Sequence, residues 1–136
     1  MVKIVLCENR LKREFAGAAK AVAALVYKIC MAADWREAEQ AGAFHGAGVD
    51  LTDGYIHLSA PGQVVETAER HFAGQRDLML VAVDSAALRA ALKWEAARDG
   101  ALFPHLYGPL SLDAVVWTKP LPLDRDGRHV FPEPVS

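Results

Sequence analysis

Residues 53–60 read Asp53-Gly54-Tyr55-Ile56-His57-Leu58-Ser59-Ala60, and the fold turns on how they are read. Asp53-Gly54 is a turn pair, and the five residues after it have strand character. Side chains alternate between the faces of a strand. Tyr55, His57 and Ser59 therefore share one face, while Ile56 and Leu58 share the other. An apolar pair beneath and a tyrosine–histidine–serine row above predicts a strand that is core on one side and chemical on the other.

The elements on either side fit an α+β domain. Residues 25–30 form a short apolar strand. Ala32 to Ala41 has helical spacing with Asp34 in its first turn, Gly42 ends it, and Trp35 falls on its core face. Gly42 to Gly54 reads as a glycine-rich loop carrying His45, Asp50 and Asp53. Gly62 to Phe72 is a second helix with His71 facing solvent, and Asp77 to Asp84 is apolar enough for a central strand. Ser85 is expected to cap a short helix through Leu92, and Lys93-Trp94-Glu95 to form a brief strand. Phe103 to Leu110 reads as a stiff proline- and glycine-punctuated loop, Ala114 to Trp117 as a last strand, and the chain from Lys119 as an extended tail. The strands are short and the crossovers irregular, so small mixed or antiparallel sheets are expected rather than a doubly wound parallel one.

Composition narrows the classes. The chain has 136 residues, is 52% hydrophobic and 24% charged, and carries a formal net charge of -2. That is one domain with a real core and without the basic footprint of a nucleic-acid or anionic-membrane partner. The first 26 residues hold five cations and two anions, a net of +3, which leaves -5 for the remainder. Residues 1–25 are read as an N-terminal extension, helical or loosely ordered, ahead of a single domain from 26 to 136. Cys7 and Cys30 match no disulfide or zinc spacing. Two idle thiols suit a reducing, cytoplasmic setting, and no apolar run reaches the length of a membrane span.

No dinucleotide fingerprint, phosphate loop, nucleophile elbow or metalloprotease motif is present. The candidate site is a constellation instead: His57 and Ser59 on one strand face, and His105 with Tyr107 in the rigid loop. A metal held by His57, His105 and Asp53 or Asp50 has enough donors but no short ligand spacing, so no metal is assigned. Ser59 as a nucleophile lacks a third orienting group.

The segments Val26–Cys30, Val49–Asp84, Leu92–Glu95, Leu102–Leu110 and Ala114–Trp117 resemble a small bacterial family catalogued as a domain of unknown function, number 952. The likeness spans Val26 to Pro132, with "DGYIHLS" and "FPHLYGPL" as its most specific parts. More faintly, the chain is similar to the ADP-ribosyltransferase fold, which holds NAD in a cleft between two small antiparallel sheets. That resemblance implies Tyr27 and Lys28 on the first strand, where the fold usually offers histidine or arginine. It implies His57 and Ser59 on the second strand, and Glu95 or the His105–Tyr107 segment in third place. Carried over, it assigns catalysis to His57, Glu95 and His105, and ligand binding to Tyr27, Lys28, Ser59 and Tyr107. NAD is then the candidate substrate. An NAD-directed transferase or hydrolase and a non-catalytic module holding a small ligand in the same cleft both stay open at this point.

Overall fold

The structure, a computed structural model, describes residues 25–132. The expected N-terminal extension therefore lies outside the described residues, apart from Leu25, which opens the first strand. The architecture is α+β, built on a three-stranded antiparallel sheet in which β4 (Leu78–Asp84) lies between β1 (Leu25–Met31) and β8 (Val115–Leu121). A second three-stranded sheet places β6 (Leu102–Leu106) between β3 (Ile56–His57) and β5 (Leu92–Ala96). A two-stranded ribbon joins β2 (Ala43–Phe44) to β7 (Leu110–Ser111).

The first sheet is buried on both faces, and this explains the unbroken apolar run at residues 78–83. Val81 and Val83 face a core with Val26, Trp35, Phe44, Ile56 and Leu106, while Leu80 and Ala82 face a second core with Tyr27, Val64, Ala68 and Leu121. Helix α1 (Ala32–Ala41) covers the first core and contributes the fully buried Trp35, whose ring packs 5.8 Å from Phe44. Gly42 ends it in the left-handed conformation, its N–H returning to Ala38 O. Helix α3 (Val64–His71) covers the second core with Val64 and Ala68.

Four expectations change. The Gly42–Gly54 segment is not a simple loop: it contains β2 and a one-turn helix, α2 (Val49–Asp53), set between two positive-φ glycines, Gly48 and Gly54. Residues 102–106 of the supposed stiff loop form the central strand of the second sheet, because the edges of β3 and β5 both need a partner and only β6 supplies one. The short helix α4 (Ser85–Leu88) is capped by Asp84, whose carboxylate accepts from Ala86 N–H, and β5 already begins at Leu92. Finally, Lys119 to Leu121 belong to β8, where Pro120 is tolerated because the strand lies at a sheet edge.

The two large sheets share the first core and are joined through a backbone bridge. Tyr27 on β1 and Ser59, just past β3, exchange both backbone hydrogen bonds at 2.8 Å. Beyond that contact β1 pairs with β4 alone, and a cleft opens between Lys28–Met31, the β3–β6 face and α3.

Candidate functional site

The chemical face of the second sheet is set by register. His57 stands directly opposite His105, and His105 opposite Lys93, while Glu95 pairs with Phe103. Directly paired residues project to the same side, so these chains share the side away from Ile56 and Leu106. Both histidines line the cleft, which has a volume of about 720 Å³. Their rings lie 5.5 Å apart and nearly edge to face. Tyr55 packs against both, 4.6 Å from His57 and 4.3 Å from His105.

Each histidine is held through Nδ1 by a carboxylate. His57 Nδ1 lies 2.7 Å from Asp50 Oδ1, and His105 Nδ1 lies 2.8 Å from Glu95 Oε1. Such a partner fixes the ring's orientation and selects the tautomer. His57 Nε2 faces a second carboxylate, Asp53 Oδ2, at 3.0 Å.

Asp50 is the keystone. Its side chain is buried, yet it accepts from Lys28 Nζ at 2.8 Å, Ala47 N–H at 3.1 Å and His57 N–H at 2.9 Å, besides meeting the His57 ring. Burial alone pushes the carboxyl pKa up. The bond with the His57 ring, the Lys28 charge and its hydrogen bond, and the His57 amide outweigh that and bring it down to about 2. The fit also explains Gly46, where a Cβ would lie 2.9 Å from Asp50 Cβ. Lys28 completes the knot by donating to His57 O at 3.2 Å.

Glu95 works from the outside. Its Oε1 accepts from His105 and, at 2.8 Å, from the Tyr107 hydroxyl. Those two bonds hold its carboxyl below the usual carboxylate range, and the same contact pushes the Tyr107 phenol up.

The expected residues are thus partly brought together. Tyr27, Lys28, His57, Ser59 and His105 line one cleft. Tyr27 does so from the second core, its ring 5.9 Å from Trp117, and Ser59 shares its hydroxyl with Thr67 at 3.0 Å. Glu95 and Tyr107 stand behind His105 rather than on the cleft wall, with Tyr107 packed 5.1 Å from Tyr55. His105 is buried in a strand, not displayed on a loop. His71 is exposed at the cleft rim, as is Arg70, which pairs with Glu66 at 2.8 Å. His129 is tied to Gln75 O at 2.9 Å.

Two residues exceed the roles given to them from sequence: Tyr55, which bridges the histidines, and Asp50, weighed only as a metal ligand. What marks Asp50 is visible only in the fold. Val49 and Leu51 are 62% and 67% exposed while the aspartate between them is 3% exposed, an inversion of ordinary burial preference. Among the described residues no group of three or more His, Cys, Asp or Glu side chains is arranged to hold a metal ion. Nor is any described helix long and apolar enough to cross a membrane. Cys30 is buried, and that burial pushes its thiol up to about 12, which makes it a core residue.

Comparison with known proteins gives a consistent picture. Residues 29–118 match the family described as "Protein of unknown function (DUF952)". The crystal structure of protein CC0527 from Caulobacter crescentus is similar, with 50% sequence identity and a TM-score of 0.75 over 78% of this chain and 93% of that one. The solution NMR structure of CC0527 aligns at 51% identity and a TM-score of 0.70, covering 76% and 90% of the two chains. No curated protein matches.

Proposed function

The chain belongs to the DUF952 family, and we propose that its cleft is the active site of an enzyme directed at NAD or a related nucleotide. The observation that carries this reading is the pair of carboxylate-held histidines, His57 and His105, opening on one cleft. Fixing an imidazole tautomer presents a defined donor or acceptor nitrogen to the cleft, which is what proton transfer at a bound substrate needs. The cleft volume of about 720 Å³ lies within the roughly 300–1,000 Å³ of small-molecule sites. Support for the nucleotide class comes from the strand positions. The resemblance to the ADP-ribosyltransferase fold implies working residues on a first strand, a second strand and a later segment. Lys28 lies on β1, His57 on β3 with Ser59 just past it, and Glu95 on β5.

In this reading His57 orients the ribose hydroxyls, and the phosphates lie toward Arg70 at the rim. Phe103 and Phe72 contribute aromatic surface. Calorimetry and ligand-observed NMR with NAD, ADP-ribose and nicotinamide test it, with His57→Ala as control. NAD or ADP-ribose should bind and the substitution should abolish binding. A folded sample that binds none of the three retires the nucleotide reading.

One observation favours a second reading, a non-catalytic small-ligand module. Glu95, the carboxylate expected to stabilise a ribosyl cation, has Oε1 engaged by both His105 and Tyr107 and lies off the cleft wall. Binding that needs His57 while NAD stays intact over prolonged incubation would decide for that module.

A further inference from the structure

The two histidines are more than the release of nicotinamide requires. Nicotinamide leaves its ribose as a neutral base, so no proton has to reach it, and the transition state needs a carboxylate near the developing cation. The two carboxylates that hold the histidines through Nδ1 are used otherwise. Asp50 is buried beneath His57, and Glu95 stands behind His105. Of the two on the cleft wall, Asp53 meets His57 Nε2, while Asp34 stands on the first turn of α1. What the cleft presents instead is two imidazoles with rings 5.5 Å apart, in differing hydrogen-bond settings.

His105 meets one carboxylate, at Nδ1. With that N–H donated to Glu95, Nε2 carries the lone pair and accepts a proton. His57 faces a carboxylate oxygen from each ring nitrogen, Asp50 at 2.7 Å and Asp53 at 3.0 Å. With both carboxylates ionised, both contacts are hydrogen bonds at once when both nitrogens carry protons. The settings therefore assign a base and an acid to one cleft. Two rings 5.5 Å apart that line one cleft can flank a tetrahedral centre between them, which suits in-line displacement at phosphorus.

We propose that His105 and His57 act as general base and general acid in cleaving a phosphate diester or anhydride linkage of a bound nucleotide, with water as the acceptor. Water gives a proton to His105 Nε2 as its oxygen forms the new bond to phosphorus. The bond from phosphorus to the leaving oxygen breaks, and that oxygen takes the proton from His57 Nε2. The exposed Asp53 carboxylate yields its place on Nε2 to the leaving group. No electron carrier is needed, and solvent exchange restores the two rings. Arg70, on the rim and paired with Glu66 at 2.8 Å and Asp99 at 3.7 Å, turns its charge toward the phosphate when a nucleotide binds. Asp50 and Glu95 are positioning residues that hold the rings.

This inference rests on the nucleotide reading of the cleft, and the experiment separates the two. The protein is incubated with NAD and, separately, with 2′,3′-cyclic AMP, while binding of each is followed by ligand-observed NMR and products by chromatography. The expected result is AMP and nicotinamide mononucleotide from NAD, or a ring-opened monophosphate from the cyclic nucleotide. Rates should fall about 10²–10⁴-fold in His57→Gln and in His105→Gln. Should one variant fail to fold, the other carries the test together with Glu95→Gln, which should slow the reaction by loosening His105. The wild type run in oxygen-18 water shows whether attack is at phosphorus, since the label then enters the phosphate product. Binding without phosphate-bond cleavage overturns the proposal and leaves the nucleotide reading standing. So does nicotinamide release that ignores both substitutions. Absence of binding removes the nucleotide reading and the proposal together.

Discussion

The two carboxylate–histidine pairs have the same chemistry and opposite burial. In the Asp50–His57 pair the carboxylate side chain is 1% exposed and the imidazole 31%. In the Glu95–His105 pair the imidazole is 6% exposed and the carboxylate 38%. A buried carboxylate has to be satisfied by protein, and Asp50 gathers a lysine, two backbone amides and a ring to do it. An exposed one has water in reserve, and Glu95 manages with a ring and a phenol. The same dyad is thus a structural knot on β3 and an adjustable brace on β5.

The sharpest way to break this comparison is to remove the buried partner. Asp50→Ala leaves the Lys28 ammonium buried without its counter-charge, and should cost about 3–5 kcal/mol in urea denaturation. That equals the expected cost of Trp35→Ala, a large-to-small change in the apolar core, also about 3–5 kcal/mol. A loss under about 1 kcal/mol for Asp50→Ala would mean that the knot is not structural.

His105→Ala comes next. Because His105 lies in the central strand of its sheet and packs on Tyr55, the cost should be about 2 kcal/mol, and not the small loss of a loop substitution. Acid should separate the pairs further. The folded-state pKa of Asp50 is depressed, so its stabilisation is fully present above the ordinary carboxylate value of 3.8 and is lost as pH falls from there through about 2. Denaturation midpoints measured between pH 5 and pH 2 should fall less steeply in Asp50→Asn than in the wild type.

The smallest effects belong to the exposed brace. Glu95→Gln should leave the denaturation midpoint almost unchanged while altering the His105 ring signals by NMR. In the same variant the Tyr107 phenol, which Glu95 pushes up, should titrate closer to the ordinary tyrosine value. Ultraviolet difference titration reads this directly, and an unshifted Tyr107 would show that Glu95 does not govern that corner.

Much of the molecule is legible in its amino acids. The alternation of Tyr55-Ile56-His57-Leu58-Ser59 shows which side of β3 is core, the apolar run at 78–83 marks the central strand, and Gly42 marks the end of α1, because each signal is local in the chain. His57 and His105 could be singled out by residue type and position, and Lys28 only through the resemblance to a known fold. What no local signal carries is which carboxylate each histidine meets. Asp50 and Lys28 are 22 residues apart, and Glu95 reaches His105 across an antiparallel pair of strands. Residues 102–106 look like a loop because Pro104 and Gly108 punctuate them, and become a strand because two strand edges need their hydrogen bonds met. Sequence determined most of the elements and pointed to the two histidines as candidates. Tertiary structure alone decided the pairings, because desolvation and hydrogen-bond satisfaction depend on neighbours brought from elsewhere in the chain.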